Sequence, residues 1–153
     1  MFNDPKFIEE FIEITRPYKT ALEVGSVGEL KDAIRCKIIP FDDLAKHTKT
    51  YNLVFSSGVL QHVEEPLKMI KQMKKLGTHV LNFVPNASCE PYMRVKNSTH
   101  EAWAKEKAYT EKELAKLYKK AGLTDVETGY AGYDWCKNRF GGEGHYLVWA
   151  LGK

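Results

Sequence analysis

Residues 51–86 constrain the fold more than any other part of the chain. Residues 53–55 and 80–84 are short apolar runs rich in Val and Phe, the composition of strands buried on both faces. Between them apolar side chains recur at helical spacing with lysines opposite, and Pro66 and Gly77 suit the two ends of a helix. Strand, helix and strand within this length predict a βαβ unit with two parallel neighbouring strands.

Small and polar residues follow both predicted strands. Ser56, Ser57 and Gly58 come after the first strand, and Pro85 and Asn86 end the second. Ligands of parallel sheets bind beyond the carboxyl ends of the strands. The sequence therefore predicts a binding crevice at this edge, with Ser56, Ser57 and Gly58 along one wall.

This stretch resembles the fourth-strand motif of class I S-adenosylmethionine-dependent methyltransferases. The resemblance rests on residues 51–66, which include Val-Leu-Gln-His-Val-Glu-Glu, and on the Val-Pro-Asn ending of the next strand. It extends from about residue 20 to the C-terminus and is most specific in this middle stretch. It implies a Rossmann-like α/β fold: a mainly parallel sheet with helices on both faces and a C-terminal antiparallel hairpin. It also implies S-adenosylmethionine as the cofactor.

A glycine turn follows an earlier predicted strand, residues 20–24. Such a turn aims backbone amides at a ligand in Rossmann-like folds, although an ordinary strand-to-helix turn has the same appearance. The motif of the resembled family is E-x-G-x-G-x-G, and here Val27 and Glu29 stand in place of the second and third glycines. The resemblance places four residues beside the methionine part of the cofactor: Glu23, Gly25, Ser26 and Gly28.

The region between the glycine turn and residue 51 is short for this family. It has room for one short helix, residues 30–34, and one strand, residues 36–41, where the family has two strands and a helix. We therefore expect about one strand fewer than the usual seven. The resemblance implies that Asp42 or Asp43 holds the ribose hydroxyls, since a carboxylate accepts two hydrogen bonds well. A turn or helix-capping pair is the alternative.

The remaining segments complete the predicted domain. Asp4 and Pro5 begin an amphipathic helix that stops at Pro17. Residues 87–98 are typical of a loop, and Thr110 and Glu113 form the capping box of a helix. Residues 126–133 and 145–151 predict an antiparallel strand pair joined by a loop over residues 135–144. We expect one domain over residues 1–153, with an N-terminal helix (1–17), a cofactor-binding half (18–86) and an acceptor-side half (87–153).

The candidates for acceptor chemistry are one histidine and a group of aromatic residues. His62 matches a frequent histidine of the resembled family and is the catalytic candidate, as a base or as a polar contact that only holds its loop. Methyl transfer to a good nucleophile needs mainly alignment, so no catalytic triad is expected. Aromatic side chains form the candidate acceptor pocket, with a role in the core as the alternative: Tyr92, Trp103, Tyr109, Tyr130, Tyr133 and Trp135.

Composition limits the partners. A net charge of +3 is too small to indicate nucleic acid, and the lysine-rich stretches are interpreted as solvated helix faces. No apolar run reaches the roughly 20 residues that a membrane span requires. The three cysteines are scattered without metal-ligand spacing, which favours reduced thiols in a cytoplasmic protein and indicates no metal. A small-molecule substrate is expected, and the oligomeric state stays open.

Two functions remain open at this point. One is methyl transfer from S-adenosylmethionine to a small molecule or to a group on a larger substrate. The other is a non-catalytic methyltransferase-like scaffold or partner subunit whose cofactor binding is weak or lost. A nicotinamide-dependent dehydrogenase is disfavoured because the glycine turn lacks G-x-G-x-x-G spacing.

Overall fold

The computed structural model describes residues 4–25, 30, 32–98 and 104–153. Within these residues six strands form one sheet: β1 (Ala21–Val24), β2 (Lys37–Ile39), β3 (Tyr51–Ser57), β4 (Gly77–Pro85), β5 (Glu127–Ala131) and β6 (Leu147–Gly152). The strand order is β2-β1-β3-β4-β6-β5. The first four strands are parallel, and β6 runs antiparallel to both β4 and β5. The mainly parallel sheet and its antiparallel C-terminal pair are confirmed, and the six strands within the described residues agree with the expectation of about one strand fewer than seven.

The predicted βαβ unit forms the centre of this sheet. Helix α2 (Pro66–Leu76) connects β3 to β4, and the two strands pair in parallel with Val54 beside Val80 and Ser56 beside Asn82. Their carboxyl ends therefore lie side by side, as the sequence predicts for the binding edge.

Four further helices are described: α1 (Pro5–Thr15), α3 (Glu90–Ser98), α4 (Glu111–Lys120) and α5 (Tyr133–Phe140). The start of α1 is confirmed, because the Asp4 carboxylate accepts the backbone N–H of Phe7 at 2.9 Å. The capping box of α4 is confirmed too, with reciprocal bonds of 3.1 Å between Thr110 and Glu113. Among the described helices, none combines the length and the apolar character that crossing a membrane would require.

Helices cover both faces of the sheet. Alternating strand residues point to opposite sides, so Val54 packs with α2 and α4 while Leu53 and Phe55 pack with α1, α3 and α5. The α1 side is rich in aromatic rings: Phe11 lies 5.1 Å from Phe55 between ring centroids. Each fully buried side chain of this size contributes roughly 1.5–3 kcal/mol through burial.

Two segments predicted as loops are helices. Residues 87–98 contain α3, where Pro91 occupies a first-turn position that tolerates proline and Arg94 pairs with Glu90 at 3.0 Å. The predicted loop over residues 135–144 contains most of α5, which ends at Gly141 in the left-handed conformation (φ +71°). Both helices have too few buried residues to give a recognisable helical periodicity in the sequence.

The region before β3 is more irregular than predicted. The described residues of the expected helix over residues 30–34 form turns, with the amides of Ala33 and Ile34 both bonded to the carbonyl of Leu30. The second strand covers only Lys37–Ile39, and Pro40 then leads into a single 3-10 turn, Phe41–Asp43. Proline cannot donate to a sheet ladder, which explains why the strand stops there.

Candidate functional site

A cleft opens at the carboxyl ends of β2 and β3. Its volume is about 590 Å³, and the segments that follow these two strands, together with the first turns of α2, form its walls. The lining residues are Phe41, Asp42, Ala45, Val59, His62, Val63, Glu64, Glu65, Lys68, Met69 and Gln72. The cleft therefore lies at the edge of the sheet where parallel α/β folds bind their ligands.

Gly25 brings a third segment to this edge. It follows β1 with φ +73°, and its N–H donates to the carbonyl of Ile39 at 2.8 Å. A Cβ at this position would lie 3.0 Å from Cγ2 of Val59 and 3.7 Å from Cβ of Phe41. The chain thus turns with a conformation that favours glycine where the segments after β1, β2 and β3 meet.

The three acidic candidates take different positions. Asp42 lines the cleft, whereas Asp43 is exposed outside it and its carbonyl accepts the amides of Lys46 and His47 in a turn. Glu23 is buried within β1 at 2% exposure and does not line the cleft. Burial, together with the nearby Glu23 carboxylate, raises the pKa of Cys36 to about 11.

His62 lies between the cleft and a buried carboxylate. Its side chain lines the cleft and is 56% exposed, and its Nε2 lies 3.8 Å from Oε2 of Glu106. The Glu106 side chain is only 5% exposed, and its Oε1 accepts a hydrogen bond from the Tyr92 hydroxyl at 2.5 Å. A buried carboxylate needs such partners, because burying an unpaired charge is costly.

Backbone pairing fixes this carboxylate beside the strand ends. The N–H of Lys107 donates to the carbonyl of Gln61 at 2.9 Å, and the N–H of Tyr109 donates to the carbonyl of Pro85 at 2.9 Å. Burial, and then the hydrogen bond to Glu106, raise the pKa of Tyr92 far above its usual range. Glu106 was missed by the sequence reasoning because the residues around it carry no periodic pattern.

Solved methyltransferase structures share this architecture. A possible histamine N-methyltransferase from Thermotoga maritima matches with a TM-score of 0.74 at 11% identity, over 96% of this chain and 87% of that one. The magnesium protoporphyrin IX methyltransferase of Synechocystis, solved with SAH (S-adenosylhomocysteine), gives a TM-score of 0.68 at 13% identity, over 98% and 83%. The chain has the class I methyltransferase fold.

A third structure with this fold is considerably longer than this chain. PigF with SAH gives a TM-score of 0.68 at 12% identity over 99% of this chain but 62% of its own, so the chain spans less than two thirds of that protein. A scan against protein-family models finds no match, and a sequence search of curated proteins finds none either.

In this methyltransferase fold the predicted crevice wall after β3 lies largely in the core. Ser56 is fully buried and donates to Asn82, and Ser57 is buried at 9% exposure. Gly58 turns with φ +72° and donates its N–H to the carbonyl of Phe83 at 3.1 Å. None of these three residues is among those that line the cleft.

The predicted aromatic pocket is divided among three places. Tyr92 and Trp135 lie together around Tyr146, with centroid distances to it of 5.0 and 4.5 Å. Tyr109 packs in the core on the opposite face of the sheet. Tyr130 and Tyr133 flank His145 near the surface, at 5.7 and 5.3 Å. Three of the predicted site residues lie outside the described residues: Ser26, Gly28 and Trp103.

Proposed function

We propose that the chain binds S-adenosylmethionine in the cleft and transfers its methyl group to an acceptor, a small molecule or a group on a larger one. The observation that carries this proposal is the meeting of three post-strand segments at Gly25, beside a cleft of about 590 Å³. When bound, the cofactor supplies an electrophilic methyl group on a sulfonium centre. Neighbours of the same fold that were solved with SAH support the assignment.

The residues of the cleft fit this cofactor. Its volume lies within the range of roughly 300–1,000 Å³ that small-molecule sites occupy. Phe41 and Val63 offer apolar surface suited to a flat base. Asp42 offers an exposed carboxylate suited to the two ribose hydroxyls, and it stands in the segment after β2.

The acceptor side of the proposed site contains His62 and Glu106. An imidazole within reach of the cleft can take a proton from an incoming nucleophile, and a buried carboxylate stabilises the imidazolium that forms. Tyr92 holds that carboxylate through its hydroxyl. This arrangement suits an acceptor whose oxygen or nitrogen still carries a proton when it binds. We place this activity in the cytoplasm, where thiols such as Cys36 stay reduced.

A non-catalytic partner subunit with weak or lost cofactor binding is the second candidate. One contact favours it: Val59 packs against the Gly25 turn, the place where a ligand would approach the backbone. The replacement of two motif glycines by Val27 and Glu29 points the same way.

Calorimetric titration of the purified chain with S-adenosylhomocysteine tests the proposal. Heat with one-to-one stoichiometry supports the methyltransferase, since this product of the cofactor carries every group the cleft would recognise except the methyl. The absence of binding heat at millimolar S-adenosylhomocysteine supports the non-catalytic partner subunit. Methyl transfer to candidate acceptors is then measured only for a chain that binds.

A further inference from the structure

Two buried cysteines lie against each other on the acceptor side of the fold. The Sγ atoms of Cys89 and Cys136 are 3.2 Å apart although the residues are 47 positions apart in sequence. Cys89 directly precedes α3 and Cys136 lies within α5, and their exposures are 1% and 0%. A disulfide has an S–S length of about 2.05 Å, so closing this pair requires a movement of only about 1 Å.

A glycine-containing segment covers the sulfur pair. A Cβ on Gly144 would lie 3.1 Å from Sγ of Cys89 and 3.9 Å from Sγ of Cys136. The carbonyl of Gly142 accepts a weak hydrogen bond from the Cys136 thiol at 3.6 Å. Because Gly144 has no side chain over the two sulfurs, a small opening of this segment would bring them closer to solvent and to a small reagent.

We propose that Cys89 and Cys136 form a redox modification site in which hydrogen peroxide joins them as a disulfide. Peroxide oxidises one thiol to a sulfenic acid and is reduced to water. The second sulfur then attacks the first, so that the S–S bond forms as the S–O bond breaks. The proton of the second thiol leaves with the hydroxyl group as another water molecule. Two thiols and one peroxide thus give one disulfide and two waters.

The bond would tie the start of α3 to α5. Tyr92 lies one turn after Cys89 on α3 and holds Glu106, so the tie restrains the segment that carries this carboxylate contact. Burial, with the adjacent Cys89, raises the pKa of Cys136 to about 12. Since the thiolate is the reactive form, Cys136 reacts slowly with peroxide. This proposal does not depend on the proposed methyl transfer.

The test uses the full chain carrying Cys36→Ser, which leaves Cys89 and Cys136 as the cysteines of the sequence. After treatment with hydrogen peroxide, free thiols are counted in denaturant, and tryptic peptides are analysed without reduction. We expect both thiols to be lost and residues 76–94 to be linked to residues 121–137, with a mass two hydrogens below the sum. Dithiothreitol should release the two peptides. The oxidised chain should also unfold several degrees higher, on the order of 5 °C.

Two variants complete the design. In the same background, Cys89→Ser and Cys136→Ser should each remain monomeric, give no linked peptides and show no rise in unfolding temperature after the same treatment. Retention of both thiols would overturn the proposal. So would oxidation of each sulfur to a sulfinic acid without linkage, or a linkage that appears only between two chains on a non-reducing gel.

Discussion

The hydroxyl of Ser56 donates a hydrogen bond of 2.5 Å to Oδ1 of Asn82 in the centre of the sheet. The amide nitrogen of Asn82 in turn donates to the Tyr118 hydroxyl at 2.8 Å. All three side chains are fully buried, so each needs its partner. This polar chain connects β3, β4 and α4, and it gives Ser56 a structural role at a position that the sequence predicts along the wall of the binding crevice.

Ser56→Ala should therefore lower stability and leave ligand affinity unchanged. Asn82 loses the donor to a buried oxygen, which costs about 1–3 kcal/mol of unfolding free energy. Urea denaturation measures this change, and titration with S-adenosylhomocysteine measures affinity. Ser57→Ala is the matched control with little expected loss, because the Ser57 hydroxyl oxygen is buried without a hydrogen-bond partner among the described residues. Weaker ligand binding at unchanged stability would give Ser56 the cofactor role instead.

The centre of the sheet could be predicted because its sequence signals are local. Apolar runs, a proline and a glycine define β3, α2 and β4 without reference to the rest of the chain. The capping box of α4 is likewise a local pattern of Thr110 and Glu113. In the cleft, Asp42 was predictable because it follows a recognisable strand, and His62 because it matches a frequent histidine of the resembled family.

The features that escaped prediction depend on tertiary contacts. Helices α3 and α5 have short buried stripes, and their packing becomes visible only with Cys89 and Cys136 side by side. Glu106 is buried because backbone pairing of its neighbours with Gln61 and Pro85 draws it toward the strand ends. Neither relationship leaves a periodic trace in the sequence, so spacing alone could not indicate it.

Asp42→Ala should weaken binding of S-adenosylhomocysteine at least tenfold. Asp42 lines the cleft, and hydrogen bonds to a charged group contribute about 1.5–3 kcal/mol each, where 1.4 kcal/mol corresponds to tenfold. Asp43→Ala is the neighbouring control with a much smaller effect, since Asp43 is exposed and is not among the residues that line the cleft. Calorimetry measures both affinities. Small and equal effects would mean that the pair is an ordinary turn.

The affinity of the unmodified chain should be modest. Only Asp42 and Asp43 provide carboxylates immediately after β2, and β2 is the one strand that the described residues form between β1 and β3. Loss of one charged contact weakens binding by roughly 10- to 100-fold. We therefore expect a Kd for S-adenosylhomocysteine on the order of tens of micromolar. A sub-micromolar value from the same titration would show that other residues replace the missing contact.

Gly25→Val should abolish binding of S-adenosylhomocysteine. A side chain here would stand in the left-handed backbone region, at a cost of about 1–2 kcal/mol, and would meet Val59 at 3.0 Å. The domain should still fold, which circular dichroism and thermal unfolding would show. Gly25→Val combined with Val59→Ala relieves the steric contact and keeps the blocked approach, so binding should stay lost. Recovery of affinity in the double variant would place the ligand away from this turn.

Tyr92→Phe should destabilise the chain. The phenol hydroxyl donates to a buried carboxylate, and such a bond to a charged group contributes about 1.5–3 kcal/mol. Tyr130→Phe is the control. Since Tyr130 is 41% exposed, this substitution should lower the unfolding free energy by no more than about 0.5 kcal/mol. Urea denaturation at neutral pH compares the two. Tyr146 also hydrogen-bonds Glu106. Equal small losses of unfolding free energy would mean that Tyr146 alone can hold this carboxylate.

His79 should make the stability of the chain depend on pH. It lies on β4 with its ring centroid 4.9 Å from that of Tyr18, and burial followed by the charge of Lys153 lowers its pKa below the ordinary 6.5. The unfolded chain then binds a proton near pH 6.5 while the folded chain binds it only at lower pH. The contribution of neutral His79 to the unfolding free energy is therefore fully present above about pH 6.5. It is lost as the pH falls from there through the lower pKa of the folded chain.

His79→Gln should remove this part of the pH dependence. Unfolding midpoints in urea would be compared between about pH 7.5 and pH 5.5, the interval in which histidine titrates. The unmodified chain should lose stability toward the acidic end more steeply than the variant. Lys153→Gln should give an intermediate slope, because it removes the second cause of the lowered pKa and leaves the burial of His79 in place. Parallel curves for all three chains would contradict the assignment to His79 and point to carboxylates as the source of any acid sensitivity.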